Sequence, residues 1–381
     1  MTSLGNLKAR VEAPTSWATT RSAVHTRCVR AAVLWDVDDL RLEDLELDPP
    51  KAGEVRIRMA ASGVCRSDYH AVHGIHPHAM PIVLGHEGSA VVEAVGDGVA
   101  NLLTGDHVVC SWLPYCGSCR RCASGRPVVC ERLDVFDAGF LGDGTTRFRR
   151  GATPIHHNVP SSFAERSVVP ANTVFRVDPL LPLEQVALLG CAVATGVGAV
   201  LNTAKVRPGA SVLVLGCGAV GLSAVQGARI AGAAAIVAVD VVEAKLELAK
   251  ELGATETILS GRDEIPRGLD HAIECLGRPE TIEQAMDAVA PGGTTVLVGM
   301  ARPEVRAALD ALRATTQELT VAGSWYGSLV PARDFPLLAH LLAFGELRLE
   351  PMISRTIALD QIHEALAGFE HGEELRSVIV Y

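Results

Sequence analysis

Aromatic side chains are scarce in this 381-residue chain: four Trp, four Tyr and eight Phe make up 4% of it. Its core must therefore be packed mostly by aliphatic residues, and each aromatic is worth following individually. A basic tract is also missing. Lys and Arg number 34 against 44 Asp and Glu, giving a net charge of -10, and nothing resembles the run of positive charge that would track phosphates along a nucleic acid. Nucleic acid is thereby set aside as a partner. No uninterrupted run of about 18 apolar residues occurs, which argues against a membrane span. Residues 1–29 lack the apolar centre of a secretory signal. They carry several Arg and no acid before Glu12, and are read as a flexible extension in preference to an organelle-targeting segment. The expected location is the cytoplasm, where structural disulfides are rare.

Cysteine, by contrast, is plentiful, with ten copies. CGSCRRCASGRPVVC, residues 116–130, sets Cys116, Cys119, Cys122 and Cys130 in a C-x2-C-x2-C-x7-C array. A disulfide cluster and a metal site compete for such a stretch. The reducing compartment favours metal, and four thiolates suit a tetrahedral zinc with no open position, which is a structural site.

Two rhythms divide the rest. From Arg30 onward, short β-rich runs (RAAVLW, EVRIRMAASGV, SAVVEAVG, HVVCSW) alternate with Gly and Pro, as in an antiparallel β domain. From about Thr195 the order becomes strand, glycine turn, Ala-rich helix, strand, which argues βαβ units around a parallel sheet. The C-terminal LDQIHEALAGFEHGEELRSVIVY ends in a helix and a strand, and is read as rejoining the first domain.

The turn LVLGCGAVGL holds Gly216, Gly218 and Gly221 in G-x-G-x-x-G spacing, after a strand and before a helix, with Asp240 closing the next strand, AIVAVD. In that context the glycines allow a tight turn and close approach of a pyrophosphate to the helix N-terminus. The carboxylate is placed to accept from a ribose 2′-hydroxyl. An acid there repels a 2′-phosphate, and Val241 and Val242 offer no cation to bind one, so NAD is favoured over NADP. Three further stretches, GVCRSDYH, LGHEGSAVVEAVG and LLGCAVATGVGAV, contribute Cys65, His86 and Cys191, the ligand types of a catalytic zinc with one open position. No local spacing links the three. Cys28, Cys110, Cys217 and Cys275 are read as structural, and His73, His76 and His78 as a solvated loop.

Taken together, GHEGSAVVEAVG, the cysteine array, the glycine turn and LLGCAVATGVGA resemble the zinc-dependent medium-chain alcohol dehydrogenases, over about Arg30 to Tyr381. The stretch DGTTRFRRGATPIHH (143–157) is similar to the longer, typically dimeric branch. The resemblance implies an α/β fold: a GroES-like β-rich catalytic domain (30–194 and 335–381) carrying the structural zinc lobe, and a Rossmann domain (195–334) with a doubly wound parallel sheet binding NAD. It implies two zinc ions per subunit, one on Cys65, His86 and Cys191 with Glu87 behind it. Asp68 would hold His86, Ser67 and His70 would relay the alcohol proton, Arg66 and Arg376 would meet the pyrophosphate, and Lys245 would assist Asp240. Trp112 would shape the substrate pocket.

What the resemblance implies is hydride transfer between a primary alcohol or aldehyde, aromatic or medium-chain, and NAD. Glutathione-dependent formaldehyde dehydrogenases of this branch carry a basic residue and an acid at positions that here hold Asp134 and His76. SWYGSLVPARDFP (324–336) is similar to some actinobacterial-type members, so a mycothiol-type formaldehyde dehydrogenase stays as an alternative. A noncatalytic NAD-binding protein of the same fold is the alternative from another class; it predicts erosion at the catalytic zinc, whereas Cys65, Ser67, Asp68, His70, His86, Glu87 and Cys191 are all present.

Overall fold

The computed structural model describes residues 28–371 and 375–381; the expected extension, residues 1–29, lies outside them except for its last two positions. Five strands, Cys28–Asp36, Asp39–Leu47, Ile82–Val83, Phe148–Arg150 and Thr153–His157, close a barrel. Beside it runs a seven-stranded sheet centred on Glu54–Val64. Val55, Ile57, Met59 and Ala61 of that strand are fully buried, the two-residue period of a strand with one face in a core. Three strands pair with it antiparallel: Glu87–Val95, Ser377–Val380 and Arg166–Pro170. The chain's last strand is thus returned to the first sheet.

Register on this sheet prepares the site. Gly63 pairs with Glu87, and Val64 pairs with Ser377. The residues just beyond those pairs, Cys65, His86 and Arg376, therefore emerge at one end of three adjacent strands.

The second large sheet has six strands, all parallel: Glu256–Leu259, Ala235–Asp240, Ser211–Leu215, Leu269–Glu274, Val289–Leu297 and Thr320–Gly323, in that spatial order. Chain order reverses on either side of Ser211–Leu215, which creates a crevice at the carboxyl ends of the strands. Helices Ala219–Ile230, Glu243–Leu252 and Pro279–Ala288 pack on it. Strand runs such as SVLVL and AIVAVD are buried almost throughout, as a sheet covered on both faces requires.

Leu183–Ala204 is one 22-residue helix, long and apolar enough to cross a membrane, yet 72% of its most apolar window is buried inside the protein. It is a core helix, and it runs from one large sheet to the other. The boundaries expected after 194 and 334 fall inside this helix and inside helix Pro331–Ala343.

Candidate metal and dinucleotide site

Cys65 closes strand Glu54–Val64 and stands at the N-cap of helix Arg66–Val72. One carboxylate then orients two donors. Asp68, in the first turn, accepts from the Cys65 backbone N–H through Oδ2 at 2.9 Å, and its Oδ1 lies 3.1 Å from His86 Nδ1. With Nδ1–H donating to Asp68, the lone pair of His86 sits on Nε2; Ser67 Oγ is 3.2 Å from that nitrogen. Cys191 arrives from the long helix, on a π-helical turn, Leu189–Val193, that interrupts the α-helical repeat. Such bulges re-aim a side chain at functional sites. Close packing accompanies it: a Cβ on Gly190 would stand 2.7 Å from the Cys110 carbonyl oxygen.

Donor atoms of Cys65, His86, Glu87 and Cys191 all lie within 4.8 Å of one another. Electrostatics suit a cation. The Cys65 thiol is held well below its ordinary value by a hydrogen bond from Cys191, against burial, with help from Arg376. Cys191 is correspondingly raised by that same bond and by burial. Burial opposes charge on His86, but Asp68 and Cys65 outweigh it and raise the imidazole. Glu87 is pushed up to about 7 by burial, partly offset by Arg376. A thiolate, a second thiol, an imidazole and a carboxyl around one point form a donor set that fits zinc.

The lobe cysteines converge in the same way. Their ligand atoms also fall within 4.8 Å of one another, with Cys116 Sγ 3.9 Å from Cys122 Sγ and Cys119 Sγ 3.9 Å from Cys130 Sγ. Backbone N–H groups of Cys119 and Cys122 donate to the sulfurs of Cys116 and Cys119 at 3.3 and 3.4 Å. Amide donors from Ser118 and Cys119 pull Cys116 down to about 6. No disulfide joins the cysteines among the described residues, and four sulfurs converging in this way suit a tetrahedral metal.

At the crevice of the parallel sheet, Gly216 follows strand Ser211–Leu215 with φ of 91°, a conformation few other residues adopt. Gly221 packs backbone against backbone: a Cβ there would lie 1.7 Å from the Gly216 carbonyl oxygen. A Cβ on Gly218, at the N-cap of helix Ala219–Ile230, would meet nothing within 4 Å, so the space in front of the helix N-terminus is open to a pyrophosphate. Asp240 organises the turn, accepting from Cys217 N at 2.7 Å, Val241 N at 2.8 Å and Val242 N at 3.0 Å. Lys245, from the next helix, lends positive charge to the same corner.

The two arginines expected at the pyrophosphate occupy different settings. Arg66 is exposed, donating to the Phe369 carbonyl at 3.1 Å with its guanidinium 5.7 Å from that ring. Arg376 is buried behind the donor cluster, donating to the Val64 carbonyl at 2.9 Å, with Nη2 3.2 Å from Glu87 Oε1. His70 is half-buried, and its pKa is lowered by burial first, then by His76 and Arg66. His73 pairs with Asp38 at 2.5 Å. His76 departs from the solvated-loop expectation, with its ring 5.2 Å from that of His70.

Trp112 forms an aromatic wall beside the cluster. Its ring meets His86 edge-on at 6.5 Å, Trp325 edge-on at 5.4 Å and Tyr326 at 4.4 Å. Tyr326 donates its hydroxyl to the Gly190 carbonyl beside Cys191. Sequence reasoning quoted the SWYG stretch without giving Trp325 or Tyr326 a role; two adjacent aromatics in a chain so poor in them were the available signal. A groove of about 760 Å³, lined by Lys51, Tyr115, Arg132, Phe136 and Asn172, lies beside the lobe. It borders Cys116 but none of Cys65, His86 or Cys191.

Comparison with known proteins agrees with this geometry. Residues 51–179 match the alcohol dehydrogenase GroES-like domain, and residues 219–343 match the zinc-binding dehydrogenase model. The chain is 38% identical over 367 residues to an S-(hydroxymethyl)glutathione dehydrogenase of Haemophilus influenzae, covering 92% of this chain and 97% of that protein. It is 37% identical over 373 residues to the class-3 alcohol dehydrogenase of Drosophila melanogaster, with the same coverage of 92% and 97%. Among solved structures, the benzyl alcohol dehydrogenase of Acinetobacter calcoaceticus superposes with a TM-score of 0.88 at 33% identity, over 93% of this chain and 99% of that one.

Proposed function

Because the chain belongs to the zinc-dependent medium-chain alcohol dehydrogenase family, with NAD and zinc as its cofactors, we propose that it oxidises a primary aromatic alcohol to its aldehyde, and the reverse, at the Cys65 cluster. The observation that carries this reading is the convergence of Cys65, His86, Glu87 and Cys191 within 4.8 Å, with the Trp112 ring 6.5 Å from His86. In this reading Cys65, His86 and Cys191 hold one zinc, Glu87 stands behind it, and Cys116, Cys119, Cys122 and Cys130 hold a second. When bound, zinc supplies Lewis acidity toward an alcohol or carbonyl oxygen, and NAD supplies the hydride acceptor.

The chain's own residues do the rest. In this reading Ser67, 3.2 Å from His86 Nε2, takes the substrate's hydroxyl proton and passes it towards His70, whose lowered pKa favours the neutral imidazole as acceptor. Asp68 locks the His86 tautomer. Gly216, Gly218 and Gly221 admit the dinucleotide, and Asp240 faces its adenosine ribose. Trp112 and Trp325 give a planar apolar wall suited to an aromatic substituent, a preference also supported by the likeness to benzyl alcohol dehydrogenase.

The test joins metal analysis to turnover. Zinc per subunit is measured in the wild type, Cys65→Ala and Cys116→Ser, with NAD reduction followed on benzyl, aliphatic and thiol-adduct alcohols. Two zincs falling to about one in Cys65→Ala, together with loss of NAD reduction and a preference for benzyl alcohol, is the expected result. A preference for thiol adducts would transfer the substrate assignment to the formaldehyde dehydrogenase reading. Turnover that survives Cys65→Ala would sink the assignment of the site.

A further inference from the structure

His70 and His76 face each other at the end of helix Arg66–Val72. The loop leaving the helix folds back on it: Ile75 N and His76 N both donate to the His70 carbonyl, at 2.9 and 3.3 Å. That return brings the imidazole rings to 5.2 Å between centroids, tilted by 56°. His76 Nε2 is buried and has no hydrogen-bond partner among the described residues. A buried ring nitrogen of this kind calls for an explanation, and the ring packed beside it is the other imidazole. Gly74 and Pro77 on either side are exposed, and His76 itself is partly exposed, so the loop that carries it reaches solvent.

We propose that His76 is a second proton carrier: the proton that leaves the substrate hydroxyl through Ser67 and reaches His70 moves on to His76, directly or through one water, and thence to solvent. The step rests on the dehydrogenase reading above. No electrons move in it. One N–H bond on His70 breaks as one forms on His76, and His76 then releases the proton to bulk water.

Burial and surrounding charge both favour release of a proton from His70. Burial above all, and then Arg66 and Arg302, disfavour a positive charge on His70 while its imidazole neighbour is neutral, with Cys65 opposing them, so a proton arriving there is not retained. The helix also carries Arg66, Asp68 and Tyr69, the last with its ring 6.1 Å from that of His70. His73 is engaged by Asp38 on its own account at 2.5 Å.

The test uses the zinc-loaded full-length enzyme with NAD and benzyl alcohol, in dilute non-imidazole buffer, for wild type, His76→Gln and His76→Ala. With zinc content and NADH affinity unchanged, both variants should lose about tenfold in kcat near pH 6.5 while KM stays within about twofold. Added imidazole should restore His76→Ala, a rescue that a purely structural role cannot give. Unchanged kcat and pH profile in both variants, or a loss confined to KM and indifferent to imidazole, would overturn the proposal while leaving the dehydrogenase reading intact. A wild type that turns over none of the alcohols would remove both.

Discussion

Arg376 and Glu87 form an ion pair at the floor of the donor cluster, Nη2 3.2 Å from Oε1, with side chains only 4% and 0% exposed. Neither carboxylate oxygen has an aligned hydrogen-bond donor among the described residues, so charge carries the contact. Gly63 leaves room for it, since a Cβ there would lie 2.0 Å from Glu87 Oε2. Truncating one member strands a buried charge, whereas replacing both does not. Arg376→Leu should therefore cost about 3–5 kcal/mol in urea unfolding of the zinc-loaded protein, and Arg376→Leu with Glu87→Leu markedly less. A double variant as unstable as the single one would contradict the pair.

The glycine turn separates packing from binding. Gly221→Ala forces a Cβ against the Gly216 carbonyl, 1.7 Å away, and should lower both the melting temperature and NADH affinity. Gly218→Ala puts its Cβ into open space. It should leave the melting temperature alone and weaken NADH at least about tenfold, which is about 1.4 kcal/mol. Fluorescence titration beside thermal unfolding reads the two quantities. Unaltered affinity in Gly218→Ala would mean that the pyrophosphate does not approach there.

Trp325 is 44% exposed and meets Trp112 edge-on at 5.4 Å. If these rings grip an aromatic substrate, Trp325→Ala should lower kcat/KM for benzyl alcohol by about tenfold relative to a short aliphatic alcohol. Equal losses for both would place the aromatic ring elsewhere.

Acid sensitivity should come in part from His157. Its Nε2 accepts from Arg147 N at 3.0 Å, and burial, then the charges of Arg147 and His156, push it down to about 3. The unfolded imidazole titrates near 6.5, so the unfolded state takes up the proton first as pH falls. The neutral histidine's contribution is thus fully present above about 6.5 and is lost towards 3, at about 1.4 kcal/mol per pH unit. Urea unfolding between those values should show the slope, and His157→Gln, which keeps an acceptor, should flatten it. An undiminished slope would assign the acid loss to other groups.

Much of this was legible in the residues. Cys116, Cys119, Cys122 and Cys130 crowd a short stretch, so their convergence on one point was legible in their spacing. Gly216, Gly218 and Gly221 sit between a β-rich run and an Ala-rich one, so local pattern and chemistry coincide. The Arg376–Glu87 pair was not legible, because 289 positions separate its members and only strand register joins them. Nor was the meeting of His70 with His76, which depends on two backbone bonds back to one carbonyl.

By itself, then, the sequence determined what acts locally: the alternation that makes an antiparallel β region and then a parallel sheet, the lobe's four thiols, the tight dinucleotide turn and the acid that follows it. Tertiary structure alone decided which distant groups share a point. Pairing of Gly63 with Glu87 and of Val64 with Ser377, and a π-helical turn at Cys191, bring together donors whose charges and protonation then depend on one another. Propensity and spacing act over a few residues, whereas such coupling depends on distances through space.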